Sequence, residues 1–529
     1  MGIYLNRGSD GFKRAVASEI YVDKTGLIAY ANSVIGTEQQ FFCVSRPRRF
    51  GKSMGAETLN AYYDCSIDSH ELFAPFEIVS HSSFEQHINK YDVIFIDMQS
   101  FLSKAGDISD MLAQIDGFVG LEVRESHEDV RYRDKGSLTR VLEDVHAANR
   151  RRFVLIIDEW DCVFREKKYD LGAQKKYLDY LRDLMKGKTY LALAYMTGIL
   201  PIKKYGAHSA LNMFDEFSMT YQDVLAHLTG FTQEEVEGLC ARYGRNIADM
   251  EAWYNGYLLE DRERSYSIYS PRSVVKASKT GRYDNYWTET ETYEALRIYI
   301  DMDYDGLRDK VTALVAGESL PIDTTKFQND MTTFSKADDI LTLLIHLGYL
   351  GYDSQSKKAF VPNQEVREEF KRSMEDGGWP EVIAAVKASK ALLEAVWAKD
   401  EDAVAAGIQA AHLDTAHITY NSEAALSYTI SLALYAARDY YTLVRELPTG
   451  KGFADIVFIP RPNRPGHPAM LVELKWDKDV GTAMTQIREK RYPDSLAAWA
   501  GDILLVGVTY DKDTREHDCA IRQVQGSAD

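Results

Sequence analysis

At 529 residues, with 45% hydrophobic and 27% charged residues, the chain has the composition of a globular protein and length for roughly two to four cores. A formal charge of −18 argues against a general nucleic-acid coat, because counterion release needs clustered Lys and Arg, but it leaves room for a local basic groove. No apolar run approaches the ~20 residues that span a bilayer and the N-terminus lacks a secretory apolar core, while five scattered cysteines, none in C-x-x-C form, predict reduced thiols in a cytoplasm rather than a disulfide frame or a zinc site.

The first apolar run, Phe41–Val44, leads into Ser45-Arg-Pro-Arg-Arg-Phe-Gly-Lys-Ser53, and Met54–Tyr63 reads as the opening of a helix. Strand, loop, Gly-Lys-Ser and helix in that order make a phosphate-binding arrangement. Gly51 and the helix N-terminus would face phosphates, Lys52 would neutralise β/γ oxygens and Ser53 would hold Mg²⁺. The usual glycine that opens this pattern is replaced by Arg46. Either that arginine adopts a glycine-like backbone or the loop takes another path. Arg46, Arg48 and Arg49 are each candidates to meet phosphate, and the sequence does not choose among them.

Three further runs follow: Val93–Ile96 before Asp97, Phe153–Ile157 before Asp158-Glu159, and Tyr190–Met196 before Thr197-Gly198. Each is short and nearly all apolar, as expected of strands covered on both faces. Ser109–Phe118 and Gln174–Lys186 between them carry helical spacing. Such units predict a doubly wound, mostly parallel sheet, with Ser45, Asp97, Asp158 and Thr197 along its C-terminal edge. The strands of Lys52 and Asp158 are expected to be neighbours. Asp158 would then hold Mg²⁺ through water and Glu159 would polarise the attacking water. The competing reading makes this pair a helix N-cap and a solvated carboxylate. Thr197 either senses the γ-phosphate or marks a turn.

Between about Thr220 and Asp376, helical stretches (Gln233–Tyr243, Thr332–Leu347) alternate with aromatic runs such as Trp253–Tyr257 and Tyr266–Tyr269. This reads as a helical lid or connector, with a small hairpin at 348–363. After Pro380 come the alanine-rich helices Glu381–Lys399 and Asp402–His412, then a helix over Glu423–Ala437. Strands Phe453–Ile459 and Ala469–Lys475, a helix near Ala483–Lys490 and a last strand Asp502–Thr509 complete the expected elements.

Glu473 and Lys475 sit two apart on a strand, so both leave one face. E-x-K also occurs at Glu166/Lys168 and Glu369/Lys371; context singles out the last copy, since the hairpin would bring Asp455 near Glu473. Two carboxylates and a strand carbonyl suit Mg²⁺ or Mn²⁺, with Lys475 orienting or deprotonating water. The competing reading is a salt-bridge network on a solvated sheet face, which would contribute little to stability.

Arg46-Pro-Arg-Arg-Phe-Gly-Lys-Ser53, with Tyr21-Val-Asp-Lys-Thr25 upstream and Thr197-Gly-Ile-Leu-Pro201 downstream, resembles the bacterial AAA-ATPase-like family. In that family the arginine at the first-glycine position belongs to the signature, Phe50 included in the same stretch. The C-terminal motif resembles the PD-(D/E)xK nuclease superfamily in the version appended to such ATPases. Asp455, Glu473 and Lys475 match its centre, Glu423 its early acidic position, and Gln486 with Arg491 and Tyr492 its following helix; Ala454 stands where a proline is usual.

These resemblances imply an α/β architecture: a P-loop NTPase parallel sheet over 1–220, a helical lid or connector over 221–380, and a smaller restriction-endonuclease-like α/β domain over 381–529. They imply ATP with Mg²⁺ at the first site, Mg²⁺ or Mn²⁺ at the second, and DNA as substrate with RNA left open. No membrane partner is expected. No arginine identifies itself as a finger into a neighbour's site, so homo-oligomerisation stays open. The alternative to a coupled ATPase and nuclease is a nucleotide-gated switch whose C-terminal domain binds a partner without cutting it.

Overall fold

The computed structural model describes residues 2–202, 211–287, 293–300, 305–327, 331–332, 334–376, 380–414, 423–449, 452–461, 466–489 and 502–525. The chain divides into two compact units, 1–286 with 321–363, and 287–320 with 364–529. The stretch 221–380, expected as a connector, is thus shared between them.

The first unit is built on strands β1 (Phe41–Ser45), β2 (Asp92–Asp97), β3 (Phe153–Asp158), β4 (Leu191–Gly198) and β5 (Asp215–Phe217), in the order β2-β3-β4-β1-β5. All are parallel. Residues of β1, β3 and β4 are buried throughout, which is why these strands read as unbroken apolar runs rather than as alternations. Two expectations change. β5 carries too few residues to show a period, and the sequence reading passed over it. More consequentially, β4 lies between β1 and β3, so the strands bearing Lys52 and Asp158 are not neighbours. The register sets Val44 beside Thr197 and Asp97 beside Asp158, so the four polar strand ends share one edge as expected.

Helix α1 (Lys52–Tyr63) packs Ala56, Leu59 and Tyr63 into a core shared with Phe42, Val93 and Ile156. Several other helices of this unit start under a side-chain cap. Asp107 caps α2 (Ile108–Ser126), Asp170 caps α3 (Leu171–Met185), and Thr232 forms a capping box with Glu235 on α4 (Gln233–Tyr243). A side-chain oxygen there satisfies backbone N–H groups that the helix itself leaves unpaired. A small sheet joins β6 (Phe231–Thr232), β7 (Tyr257–Glu260) and β8 (Ser265–Tyr269). Helix α5 (Ala337–Leu347) precedes the expected hairpin, β9 (Gly351–Asp353) with β10 (Lys358–Phe360).

The second unit carries the helices α6 (Pro380–Ala398), α7 (Glu401–Asp414) and α8 (Glu423–Ala433). Its sheet runs β11 (Tyr441–Thr449), β12 (Gly452–Pro460), β13 (Ala469–Trp476), β14 (Asp502–Asp511) and β15 (Glu516–Gln525), in that order. Only β13 and β14 pair in parallel. A parallel pair needs a crossover, and α9 (Val480–Glu489) belongs to it. Met484 and Ile487 of α9 pack on Ala469, Leu471, Ile503 and Leu505. β11 and β15 went unread in the sequence, so Asp502–Thr509 is not the last strand.

Candidate active sites

The phosphate loop joins the end of β1 to the start of α1. Positive φ falls on Arg49 (67°) and Gly51 (88°), not on Arg46. The loop therefore takes another path, and no glycine-like conformation is asked of Arg46. Its side chain is fully buried. Nε donates to Thr229 Oγ1 at 2.9 Å, and Nη1 donates to the carbonyls of Phe217 at 2.8 Å and Ser45 at 3.0 Å. The guanidinium expected among phosphate ligands is committed to protein oxygens. Arg49 is half-buried and Arg48 exposed. Phe50, read as part of the binding stretch, is fully buried with its ring edge-on to Tyr257 at 5.1 Å.

No side chain caps α1, in contrast to the capped helices above; its N-cap is Gly51. An uncapped N-terminus with its positive end toward the loop suits an anion. Ser53 is exposed on the first turn. Lys52 is 4% exposed, and its Nζ donates to the Pro47 carbonyl at 2.9 Å. Burial draws the ammonium's pKa down, while Glu159, Asp158 and Asp161 oppose that shift.

Asp158 ends β3 and is met by Thr197 from the intervening β4, whose Oγ1 donates to Asp158 Oδ1. The strand that separates the two motifs thus supplies the hydroxyl that orients the acid. The Glu159 N–H donates to the same oxygen at 3.0 Å. Glu159 itself has φ 54°, a left-handed backbone that few non-glycine residues adopt and that turns the chain sharply after the strand. The next helix starts at Cys162 with Asp161 at its N-cap position, so the N-cap reading of Asp158 and Glu159 does not hold. Burial raises the pKa of Glu159, with Lys52 and Arg165 pulling it back.

Three participants escaped the sequence reading. Arg165, 10% exposed at its side chain, pairs with Glu159 and, at 3.2 Å, with Asp161. Its spacing of four from Asp161 was the available signal. Asp161 is fully buried and accepts from the N–H groups of Ile199 (3.1 Å) and Leu200 (2.9 Å), fixing the Thr197–Pro201 stretch. Glu57 on α1 pairs with Arg7 at 2.8 Å. Burial raises its pKa, and Asp158 adds to the rise. Gly198 is required by proximity: a Cβ there would lie 2.6 Å from Trp160 Nε1 and 2.8 Å from Asp161 Oδ1.

In the second unit, Ile456 pairs with Val472, and the same register carries Asp455 toward Glu473. Asp455 lies inside β12. Its Oδ2 accepts from the Leu474 N–H at 2.8 Å. Glu473 is fully buried and Lys475 is 5% exposed. Lys475 Nζ donates to Glu473 Oε1 at 3.0 Å and to the Leu474 carbonyl at 2.7 Å, and Gln486 of α9 donates to the same Glu473 oxygen. This pair is buried under a helix, so the reading of a solvated sheet face is set aside. Gly507 stands opposite Glu473 on β14. A Cβ there would sit 3.2 Å from Ala483 Cβ and 3.1 Å from Met484 Sδ, so its bareness lets α9 come close enough for Gln486 to reach. Glu423 is the first residue of α8; its side chain, and Arg491 and Tyr492, lie outside the described residues.

The donors at both places are oxygens, as a hard divalent cation requires. Among the described residues no cluster of three or more His, Cys, Asp or Glu side chains could hold a metal ion. Ser53 with Asp158, and Asp455 with Glu473, would each supply two side-chain oxygens. Mg²⁺ ordinarily completes such a set with water and substrate phosphate oxygens, so the oxygen donors are of the type it takes. No described helix is long and apolar enough to cross a membrane.

Residues 8–207 match the family model of a predicted AAA-ATPase, and residues 426–519 match that of the PD-(D/E)XK nuclease superfamily. An uncharacterized protein in the vnfD 5′ region of Azotobacter chroococcum mcd 1 is 23% identical over 522 residues, covering 94% of this chain and 93% of its own. Among solved structures, the Walker-type ATPase PABY2304 of Pyrococcus abyssi is 12% identical with a TM-score of 0.34, covering 66% of this chain and 94% of its own. The Aeropyrum pernix ORC2 protein is 10% identical with a TM-score of 0.24, covering 70% and 99%. At these scores the two structural likenesses add nothing to the strand topology.

Proposed function

We propose that this chain, an AAA-ATPase-like protein with a C-terminal PD-(D/E)XK nuclease-superfamily domain, hydrolyses ATP at the 46–53 loop and cuts a DNA phosphodiester at Asp455, Glu473 and Lys475. The observation that carries the first half is the buried Lys52 ammonium at the uncapped N-terminus of α1, where it is held by the Pro47 carbonyl. A buried cation at an uncapped helix N-terminus suits a polyphosphate. The Gly51–Ser53 backbone and Lys52 would bind β/γ oxygens, while Ser53 and Asp158 would hold Mg²⁺. Arg48, exposed on the loop, and Arg49, at its left-handed turn, are the loop arginines left for phosphate contact. Glu159, its pKa raised by burial, would accept a proton from water once its carboxylate leaves Arg165.

At the second site, Asp455 and Glu473, with Glu423 completing the acids, would hold Mg²⁺ or Mn²⁺. The bound cation would polarise the phosphodiester and lower the pKa of attacking water. Lys475, which bridges Glu473 and the Leu474 carbonyl, would then turn toward the scissile phosphate and offset its developing charge. Gln486 keeps the Glu473 carboxylate in place during that exchange.

A second reading rests on the same bridge. Lys475 already engages acceptors that a cation would need, as expected of a domain that binds a partner without cutting it and answers to nucleotide. Purified full-length protein would be assayed for phosphate release from ATP with Mg²⁺, and for cleavage of single- and double-stranded DNA and RNA with Mn²⁺, each with and without ATP. Turnover of ATP with every nucleic acid left intact would favour the switch. No ATP binding or turnover would end the ATPase half.

A further inference from the structure

Neither Arg46 nor the upstream Tyr21–Thr25 stretch takes part in the chemistry above, yet both lead to one segment, residues 217–235. Arg46 donates to the Phe217 carbonyl and to Thr229, and its backbone N–H donates to the Gly198 carbonyl at 3.0 Å. Four residues on, the Phe50 carbonyl accepts from the Gly230 N–H at 3.0 Å, and its ring meets Tyr257. Gly230 has φ 77°, and a Cβ there would lie 2.3 Å from Ile268 Cγ2. Lys24 Nζ donates to the His227 carbonyl at 2.8 Å and to both oxygens of Glu235 at 2.7 Å. The phosphate loop is thus fastened at both shoulders, and the segment it grips leads straight into the β6-β7-β8 sheet.

Stability gives a poor account of Arg46. Among the described residues no carboxylate lies within ion-pair distance of its guanidinium, and its Nη2 has no hydrogen-bond acceptor. Burial draws its pKa down to about 10. An unpaired buried cation normally destabilises a fold relative to an apolar residue of similar size. A bridge between the phosphate loop and residues 217–230 supplies a different reason. The Lys52 ammonium that would take up β/γ-phosphate is held by the carbonyl of Pro47, the residue next to Arg46. A triphosphate reaching Lys52 competes with that carbonyl, and any shift of Pro47 pulls on the Arg46 backbone, whose side chain is anchored 171 and 183 positions away at Phe217 and Thr229.

We infer that Arg46 is a positioning residue that transmits occupancy of the phosphate loop to residues 217–230. The inference rests on the nucleotide-binding reading of that loop and assigns the direction in which binding is felt. The test is hydrogen–deuterium exchange on the full chain, with adenylyl imidodiphosphate and Mg²⁺, together with steady-state ATP turnover. In the parent protein the analogue slows exchange in both 46–52 and 217–230. Thr229→Val removes the Nε acceptor while keeping the side-chain volume. Loop protection is then retained, protection of 217–230 is lost, and kcat falls about tenfold with KM nearly unchanged, the scale of one lost hydrogen bond to a charged group. Thr229→Ser restores both, and Arg46→Lys, which keeps the charge but not the fork, repeats the Val pattern. The inference is overturned if Thr229→Val leaves the 217–230 response intact, or lowers kcat only in step with melting temperature. Absence of analogue binding by the parent protein would instead overturn the nucleotide reading beneath it.

Discussion

The two candidate sites are assembled in opposite ways. In the second unit, Glu473 and Lys475 lie two apart on one strand and bond to each other directly; among the described side chains that meet them, Asp455 and Gln486 come from neighbouring elements. In the first unit, Lys52, Thr197 and Asp158 come from three different chain segments, and the middle strand, β4, was inserted between the other two by the sheet order. A local site owes its geometry to strand period. A distributed site owes it to the order in which the strands assemble, so its chemistry depends on packing far from the charges.

This contrast can be broken most directly by separating the two chemistries. Lys52→Ala should lower kcat/KM for ATP by about 1000-fold, since one preorganised cation at a reacting phosphate is worth two to three decades, as read by phosphate release. Lys475→Ala should lower Mn²⁺-dependent DNA cleavage about 100-fold while leaving ATP turnover within about twofold. Equal loss of both activities in either variant would mean that the sites are not independent centres.

The contrast sharpens at glycines beside each site. Gly198→Ala places a Cβ against Trp160 and Asp161 at the hub of the distributed site. It should cost roughly 2–3 kcal/mol in denaturant unfolding and slow ATP turnover with it. Gly507→Ala meets Ala483 and Met484, where Met484 is able to yield. Its expected cost is about 1 kcal/mol, with cleavage reduced only so far as Gln486 is pushed from Glu473.

Each unit also holds one buried histidine pushed down to about 3 by burial, His346 near Arg46 and His517 beside His412. Below the usual value of 6.5 the unfolded chain takes up a proton that the folded unit does not. Stability should therefore fall as pH drops from about 6.5 toward about 3, by at most ~1.4 kcal/mol per pH unit for each group. His346→Gln should flatten the acid slope of the first unit alone, and His517→Gln that of the second, measured by denaturation across that window. A slope unchanged in both would mean that other groups set the acid limit.

Much of the architecture was legible in the chain because burial on both faces writes itself as apolar runs. Phe41–Val44, Phe153–Ile157 and Ala469–Lys475 were visible for this reason, and so was the helical spacing of Gln233–Tyr243. β5 and the hidden edges of the second sheet were not. Asp215–Phe217 is too short to show a period, while Tyr441–Thr449 and Glu516–Gln525 mix polar residues into strands near the sheet's rim. The identity of the charged groups could likewise be named in advance at Lys52, Asp158, Glu473 and Lys475, because each sits at a fixed offset from a strand or loop.

The sequence by itself determined which residues carry charge at the ends of which elements, since strand and helix periods act over a few residues. Partnership was decided only by the tertiary structure. The 46–53 loop illustrates the division. Its Gly-Lys-Ser could be read directly, but the fate of Arg46 could not, because Phe217 is brought to it by β5 pairing with β1 and Thr229 lies beside Gly230, which bonds to the Phe50 carbonyl. The same holds for Thr197, whose hydroxyl reaches Asp158 because β4 lies between the two motif strands, and for Arg165, whose charge meets Glu159 through a left-handed turn. Long-range pairing depends on the strand order of the sheet as a whole, and no short window of residues contains that information.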